Sequence, residues 1–176
     1  MNLDRTELNN YNSAISNLAN WSCTTYIRPH YSIKPHQADK MVQRLVNCTD
    51  YINAVYYTLE DDSTIYGSGT NDTFTRNVNR SIKHIHLLLE LDSLSNVEKI
   101  QKKINKRKSI NGIITTVPQM VTGYVALRET VVKGLKLNQK AVGGIEEIRS
   151  RTDLTSYVNK YMSNSQSHHN YIFKEK

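Results

Sequence analysis

One stretch constrains this chain more than any other: Lys83-His84-Ile85-His86-Leu87-Leu88-Leu89-Glu90. Its apolar density predicts a strand over 82–91, and strand side chains alternate between faces. Ile85, Leu87 and Leu89 can anchor one face in a core, while His84, His86, Leu88 and Glu90 point the other way. Two imidazoles two residues apart sit roughly 7 Å apart at the backbone, so both rings can converge on one divalent ion. Two histidines with a carboxylate suit Mn²⁺ or Mg²⁺ acting as a Lewis acid. Glu60 is the leading candidate for the third ligand, because it ends the strand 51–60. Antiparallel pairing of that strand with 82–91 brings it near His84, with Asp61 and Asp62 as the next choices. The alternative is a His-x-His that only occupies half-buried, hydrogen-bonded sheet positions.

Around this strand the pattern is mixed. Residues 1–20, rich in Asn and Ser, predict a weakly helical or loose lead-in. Cys23 to Tyr31 leans to strand, Pro35 to Asn47 carries Met41, Val42, Leu45 and Val46 at helical spacing, and 63–80 is a long loop. Ser95 and Glu98 have capping-box spacing, and Val97, Ile100 and Ile104 share a stripe, which predicts a helix over 95–106. Strands are expected over 109–117 and 121–129, and a helix from Asp153 with Leu154, Tyr157, Val158, Tyr161 and Met162 on one face. The tail 164–176 is expected to be loose. The result is an α+β fold, an antiparallel sheet with helices packed mainly on one face.

A chain of 176 residues suits one domain spanning 1–176. No apolar run approaches the roughly 20 residues that span a bilayer, and the polar start does not resemble a secretory signal. Cys23 and Cys48 are too few for a disulfide framework, so an intracellular, cytoplasmic setting is expected. Charge is unevenly spread: residues 101–176 hold fourteen basic against five acidic side chains, whereas residues 1–100 hold nine against eleven. A one-sided positive field points to nucleic acid or another acidic partner. The cluster Lys102, Lys103, Lys106, Arg107 and Lys108 is either a solvated helix end and loop or a phosphate-binding loop; in a eukaryotic host it could also serve as a nuclear address.

In the helix from Asp153, Tyr157 and Tyr161 are four residues apart and stack on one face, with Lys160 on an adjacent flank. A phenol with an ordinary pKa of about 10 is a poor nucleophile. A metal that polarises a scissile phosphate, with a lysine balancing charge, makes its attack feasible. The product is a phosphotyrosine link to DNA.

Together these stretches resemble the HUH endonucleases, whose motif is two histidines flanking a hydrophobic residue, here His84-Ile85-His86. Tyr157-Val-Asn-Lys160 resembles the family's Tyr-x-x-Lys, and Tyr157-Val-Asn-Lys-Tyr161 its two-tyrosine variant. A weaker match on the first strand is Thr25-Tyr-Ile-Arg-Pro29. The resemblance covers roughly 22–163 and implies an HUH, RRM/ferredoxin-like architecture. It implies metal-dependent, site-specific nicking and joining of single-stranded DNA through a 5′-phosphotyrosine, as in initiators of rolling-circle replication of a virus or plasmid. His84, His86 and Glu60 would then hold Mn²⁺ or Mg²⁺, Tyr157 would be the nucleophile, Lys160 its helper, and Tyr161 a second nucleophile or a packing residue. The implied partners are single-stranded or origin-hairpin DNA, a separate helicase and host replication proteins. The protein would be a monomer or homodimer with no membrane role. The long loop before His84 and the long spacing from His86 to Tyr157 depart from small viral initiators.

Two other readings compete. A single-strand transposase of the same class works as a dimer exchanging tyrosine helices, and Gly143-Gly144 could be its hinge. A non-catalytic RRM-like module would instead stack bases on Tyr26, Tyr56, Tyr57 and Tyr124.

Overall fold

A computed structural model of the chain describes residues 5–29, 33–61, 83–92, 97–150, 152–155 and 168–174. In chain order these form α1 (Arg5–Leu18), β1 (Cys23–Ile27), α2 (Pro35–Asn47), β2 (Ile52–Asp61), β3 (Lys83–Leu91), β4 (Gln101–Ile110), β5 (Ile113–Thr122), α3 (Gly123–Leu135), β6 (Glu146–Glu147) and β7 (His168–Phe173). Short 3₁₀ turns cover Val97–Lys99 and Gln139–Ala141, and residues 152–155 are helical. The fold is α+β. Five strands form one antiparallel sheet in the order β6-β1-β3-β2-β7, while β4 and β5 pair only with each other.

The helix α2 follows its sequence closely. Pro35 starts it, where a missing N–H costs nothing, and the Lys34 N–H donates to Gln37 Oε1 at 2.9 Å. Ala38, Met41, Val42, Leu45 and Val46 are all buried. They pack with α3 on the sheet face that presents Val55, Tyr57, Leu59, Ile85, Leu87 and Leu89. The opposite face is covered as well. There Ile15 of α1, Trp21 and Leu154 enclose Tyr56 and Leu88, with Tyr171 packed alongside. The Trp21 indole donates to the Ile15 carbonyl at 2.8 Å and meets Tyr56 and Tyr171 edge-on, at centroid distances of 6.4 and 6.0 Å. The expectation of helices mainly on one face is therefore corrected. Apolar Leu88 and Tyr56 on the second face need cover, and α1 with residues 152–155 provides it.

For residues 1–20 the helical alternative holds from Arg5, where α1 begins, and Ile15 anchors it. Three further expectations are corrected. The helix expected over 95–106 is a 3₁₀ turn followed by β4, and the strand expected over 121–129 is mostly α3. At Asn111-Gly112 the chain has φ of 52° and 79°, the type I′ geometry that Asn-Gly adopts readily. That turn registers ten residue pairs from Gln101↔Thr122 to Ile110↔Ile113, giving the backbone groups cross-strand partners that a helix would otherwise supply. Downstream, Ala126, Leu127, Thr130, Val131 and Leu135 are buried at helical spacing. Finally, part of the tail expected to be loose forms β7, in which Ile172 faces the α2 core and Tyr171 the other face. Among the described residues, no helix is long and apolar enough to cross a membrane.

Leu87 is fully buried and Ile113 is 71% exposed. Leu87→Ala is expected to lower the unfolding free energy by about 2–5 kcal/mol in urea titrations. Ile113→Ala is expected to leave it within about 0.5 kcal/mol. Burial, with the Glu147 carboxylate nearby, pushes the Cys23 thiol up from 9.0 to about 12, whereas Cys48 is exposed. The folded state thus holds Cys23 neutral, and its contribution to stability is lost only as pH climbs toward 12. At pH 8 a thiol reagent is expected to modify Cys48 at once and Cys23 only on unfolding, as a timed mass-spectrometric labelling series would read.

Candidate active site

Sheet register builds the site. On the face opposite α2 and α3, Tyr26 of β1 pairs with His86 of β3, His86 with Thr58 of β2, and Thr58 with His169 of β7. One row of backbone positions thus crosses four adjacent strands, and positions 86 and 169 are roughly 10 Å apart across two strand spacings. The next row pairs Glu60 with His84. The side chains at 60, 84 and 169 lie outside those described, so register alone places them. Directly opposed positions have Cβ atoms about 5 Å apart, which leaves 60 and 84 as cross-strand neighbours and 86 as their diagonal neighbour.

His86 is only 5% exposed, and Thr58 beside it is fully enclosed. The Thr58 hydroxyl is buried with no hydrogen-bond partner among the described residues. A polar group in that state costs stability, and it stands next to an imidazole. By contrast, the Thr24 hydroxyl, one row away, donates to the Leu87 carbonyl at 2.9 Å.

Tyr26 is 48% exposed and closes the β1 side of the row. Its ring lies against Gly143, where a Cβ would come within 2.3 Å of Tyr26 Cε1. The Gly143 N–H donates to the Tyr26 carbonyl at 2.8 Å. From α3, Arg128 Nε donates to the Val142 and Gly143 carbonyls, each at 3.1 Å. Gly143 is therefore held under an aromatic ring, while Gly144 has open space around it.

Two of the four tyrosines proposed to stack bases are inaccessible, while Tyr26 is exposed and Tyr124 half-buried. Tyr56 and Tyr57 are buried on opposite faces of β2. The Tyr57 hydroxyl donates to Asp39 Oδ1 at 2.5 Å, and burial followed by that contact raises its pKa. For Tyr124, burial and then the Glu147 carboxylate do the same.

Tyr157, Lys160 and Tyr161 lie outside the described residues, as do Asp62 and the loop 63–80. The chain leading to them is described. Ser150, rather than Asp153, caps the helical turn: the Asp153 N–H donates to Ser150 Oγ at 3.1 Å, and Asp153 Oδ2 accepts from the Arg149 N–H at 3.2 Å. Leu154 is buried with Trp21, Tyr56 and Leu88, one row from His86 on the same face. Sequence reasoning overlooked Thr58 and position 169. The Tyr171-Ile172-Phe173 run after His168-His169 was the available signal for a strand there.

Among the described residues, no group of three His, Cys, Asp or Glu side chains is placed to hold a metal ion. No protein-family model, no curated protein and no solved structure matches this chain.

Thr58→Val keeps the side-chain shape and removes the unpaired hydroxyl. It is expected to raise stability by up to about 1 kcal/mol in urea titrations. If the row is a functional site, the same variant should bind Mn²⁺ more weakly by calorimetry; a variant as stable as or less stable than the parent would show that the hydroxyl has a partner.

Proposed function

We propose that this protein is an HUH-type endonuclease that nicks and joins single-stranded DNA through a phosphotyrosine, acting as an initiator of rolling-circle replication. The observation that carries the proposal is the register: His86 lies in a polar row beside the Glu60–His84 pair, on the face where Leu154 docks the chain leading to Tyr157. The topology supports it. Leaving out α1, the β4–β5 hairpin and β7, the order is βαββαβ with strands arranged β6-β1-β3-β2, a split βαβ pattern shared by RRM/ferredoxin-like folds.

His84, His86 and Glu60 are the residues that would hold Mn²⁺ or Mg²⁺. Imidazoles with a carboxylate are a suitable donor set, and the Thr58 hydroxyl beside them, buried with no partner among the described residues, fits a site that receives a polar group. When bound, the ion would polarise the scissile phosphate. The chain's own residues would do the rest. Thr155 is the last described residue before Tyr157, and Tyr157 would have to enter at the His86 face for the mechanism to operate. Its phenol oxygen would attack phosphorus as the P–O3′ bond breaks. The phenol proton is released, the departing 3′ oxygen takes up a proton, and the 5′ phosphate stays on Tyr157. Lys160 would balance charge on the phosphate, and Tyr161 would act as a second nucleophile or pack. A free 3′-OH attacking the phosphotyrosine would reverse the step and join strands.

Against the stacking module, Tyr56 and Tyr57 are buried in the cores, which leaves Tyr26 as its exposed ring. The test is an incubation of the protein with labelled single-stranded DNA pools and Mn²⁺, followed by denaturing gels. A covalent adduct is expected that disappears with EDTA and in Tyr157→Phe. His86→Gln, checked for folding by circular dichroism, is expected to lower its yield at least about tenfold. An adduct that survives replacement of both Tyr157 and Tyr161 by Phe would refute the tyrosine mechanism.

A further inference from the structure

The hairpin β4–β5 belongs to neither face of the main sheet. Its twenty-two residues, Gln101 to Thr122, include five basic side chains and no acidic one. Strand alternation puts Lys102, Lys106 and Lys108 on one side of the ribbon and Lys103 and Arg107 on the other. At the tip, Ile110, Ile113 and Ile114 are 51%, 71% and 74% exposed. The ribbon leaves the main sheet where the Gly123 N–H donates to the Ile100 carbonyl at 3.0 Å; its base lies beside α3, with Val121 against the main core and Lys106 and Arg107 lining a cleft with Val125 and Glu129. From there its ten-residue strands extend roughly 33 Å.

We propose that this ribbon binds duplex DNA, entering the major groove with the basic side chains of β4 on the flanking phosphates and its isoleucine tip against base edges. A two-stranded ribbon fits a groove about 12 Å wide. All five basic side chains stand on β4, so that strand can run along the phosphates of one groove wall with the uncharged β5 beside it. A single-stranded partner is disfavoured by composition, because residues 101–122 contain no Phe, Tyr, Trp or His on which bases could stack. A membrane surface is disfavoured by position: Lys102 and Lys103 lie about 20 Å from the tip region, beyond the reach of headgroups that a shallowly inserted tip would touch. The ribbon also stands apart from the histidine row. It follows the Leu91 end of β3, about 17 Å along the strand from His86. Duplex binding there stands independently of the nicking chemistry.

The test is a salt series of fluorescence-anisotropy titrations with a 30-base-pair duplex, in EDTA, so that cleavage plays no part. The variant replaces the exposed Lys103, Lys106, Arg107 and Lys108 by Gln. It spares Lys102, which burial and then the nearby Lys133 ammonium hold below its ordinary pKa. The parent is expected to bind with a log–log salt slope of roughly −4, and the variant to lose about three units of slope and at least about tenfold in affinity. Ile113→Thr with Ile114→Thr, both at exposed positions, is expected to weaken binding several-fold while keeping the slope. Unchanged duplex affinity and slope in the four-Gln variant would overturn the proposal. So would tighter binding of the parent to anionic-lipid vesicles than to the duplex, or a loss in the four-Gln variant that falls on single-stranded DNA and spares the duplex. If no phosphotyrosine adduct ever forms but the salt slope still depends on these four residues, the nicking reading fails and the ribbon proposal stands.

Discussion

Everything in this molecule hangs on the two-sided burial of β3. It lies between β1 and β2, so its backbone groups are paired on both edges, and its side chains are claimed on both faces. Ile85, Leu87 and Leu89 enter the core under α2 and α3, while Leu88 enters the smaller core under Trp21. A slip of one residue would exchange the two sets and drive His86 among Val55, Tyr57 and Leu59. The apolar residues between and beyond the histidines therefore hold His86 in its row. Site geometry is a by-product of core register, which makes it rigid without any loop having to be ordered.

A row with Thr58, His86 and Tyr26 in it is a poor use of a sheet face on stability grounds alone. The second core stops at Leu88 and Tyr56, and the next row switches to polar residues although it is still enclosed. Among the described residues the buried hydroxyls of Thr58 and Thr49 find no partner, whereas the neighbouring Thr24 hydroxyl shows how readily a threonine on this face finds a carbonyl. Such departures are expected where a protein handles a ligand. Tyr26 adds to the pattern, since its half-exposed ring is held in place by Gly143 and, through Arg128, by α3.

How much was legible in the sequence differs from segment to segment for physical reasons. The helix α2 announces itself through Pro35 and five apolar positions at one period. The two faces of β3 follow from strict alternation, and with them the pairing partner of Glu60. The stretch 95–129 misleads because Val97, Ile100 and Ile104 satisfy a helical period, while Ile100 alone among them is buried. The decisive local signal was Asn111-Gly112, whose two positive φ values make a hairpin of the ten residues on either side. Edge strand β7 was hidden by its polar start, and its place depends on a long-range neighbour, β2, that no local pattern reveals. The proposed nucleophile segment, by contrast, is legible only as a motif, and the structure reaches just to its threshold at Thr155.

The β4–β5 ribbon bears on what the chain is for. The order β6-β1-β3-β2 would close without it, and its neck at Ile100 and Gly123 returns the chain to nearly the point it left. Ordering a residue's backbone costs about 1–2 kcal/mol, normally offset by burial. No residue from Gln101 to Thr122 is buried. Cross-strand hydrogen bonds and the Asn-Gly turn sustain the ribbon locally, and Val121 at its base packs against the main core. A segment that costs order, contributes little to packing and concentrates five positive charges without one acid is best understood by what its surface meets.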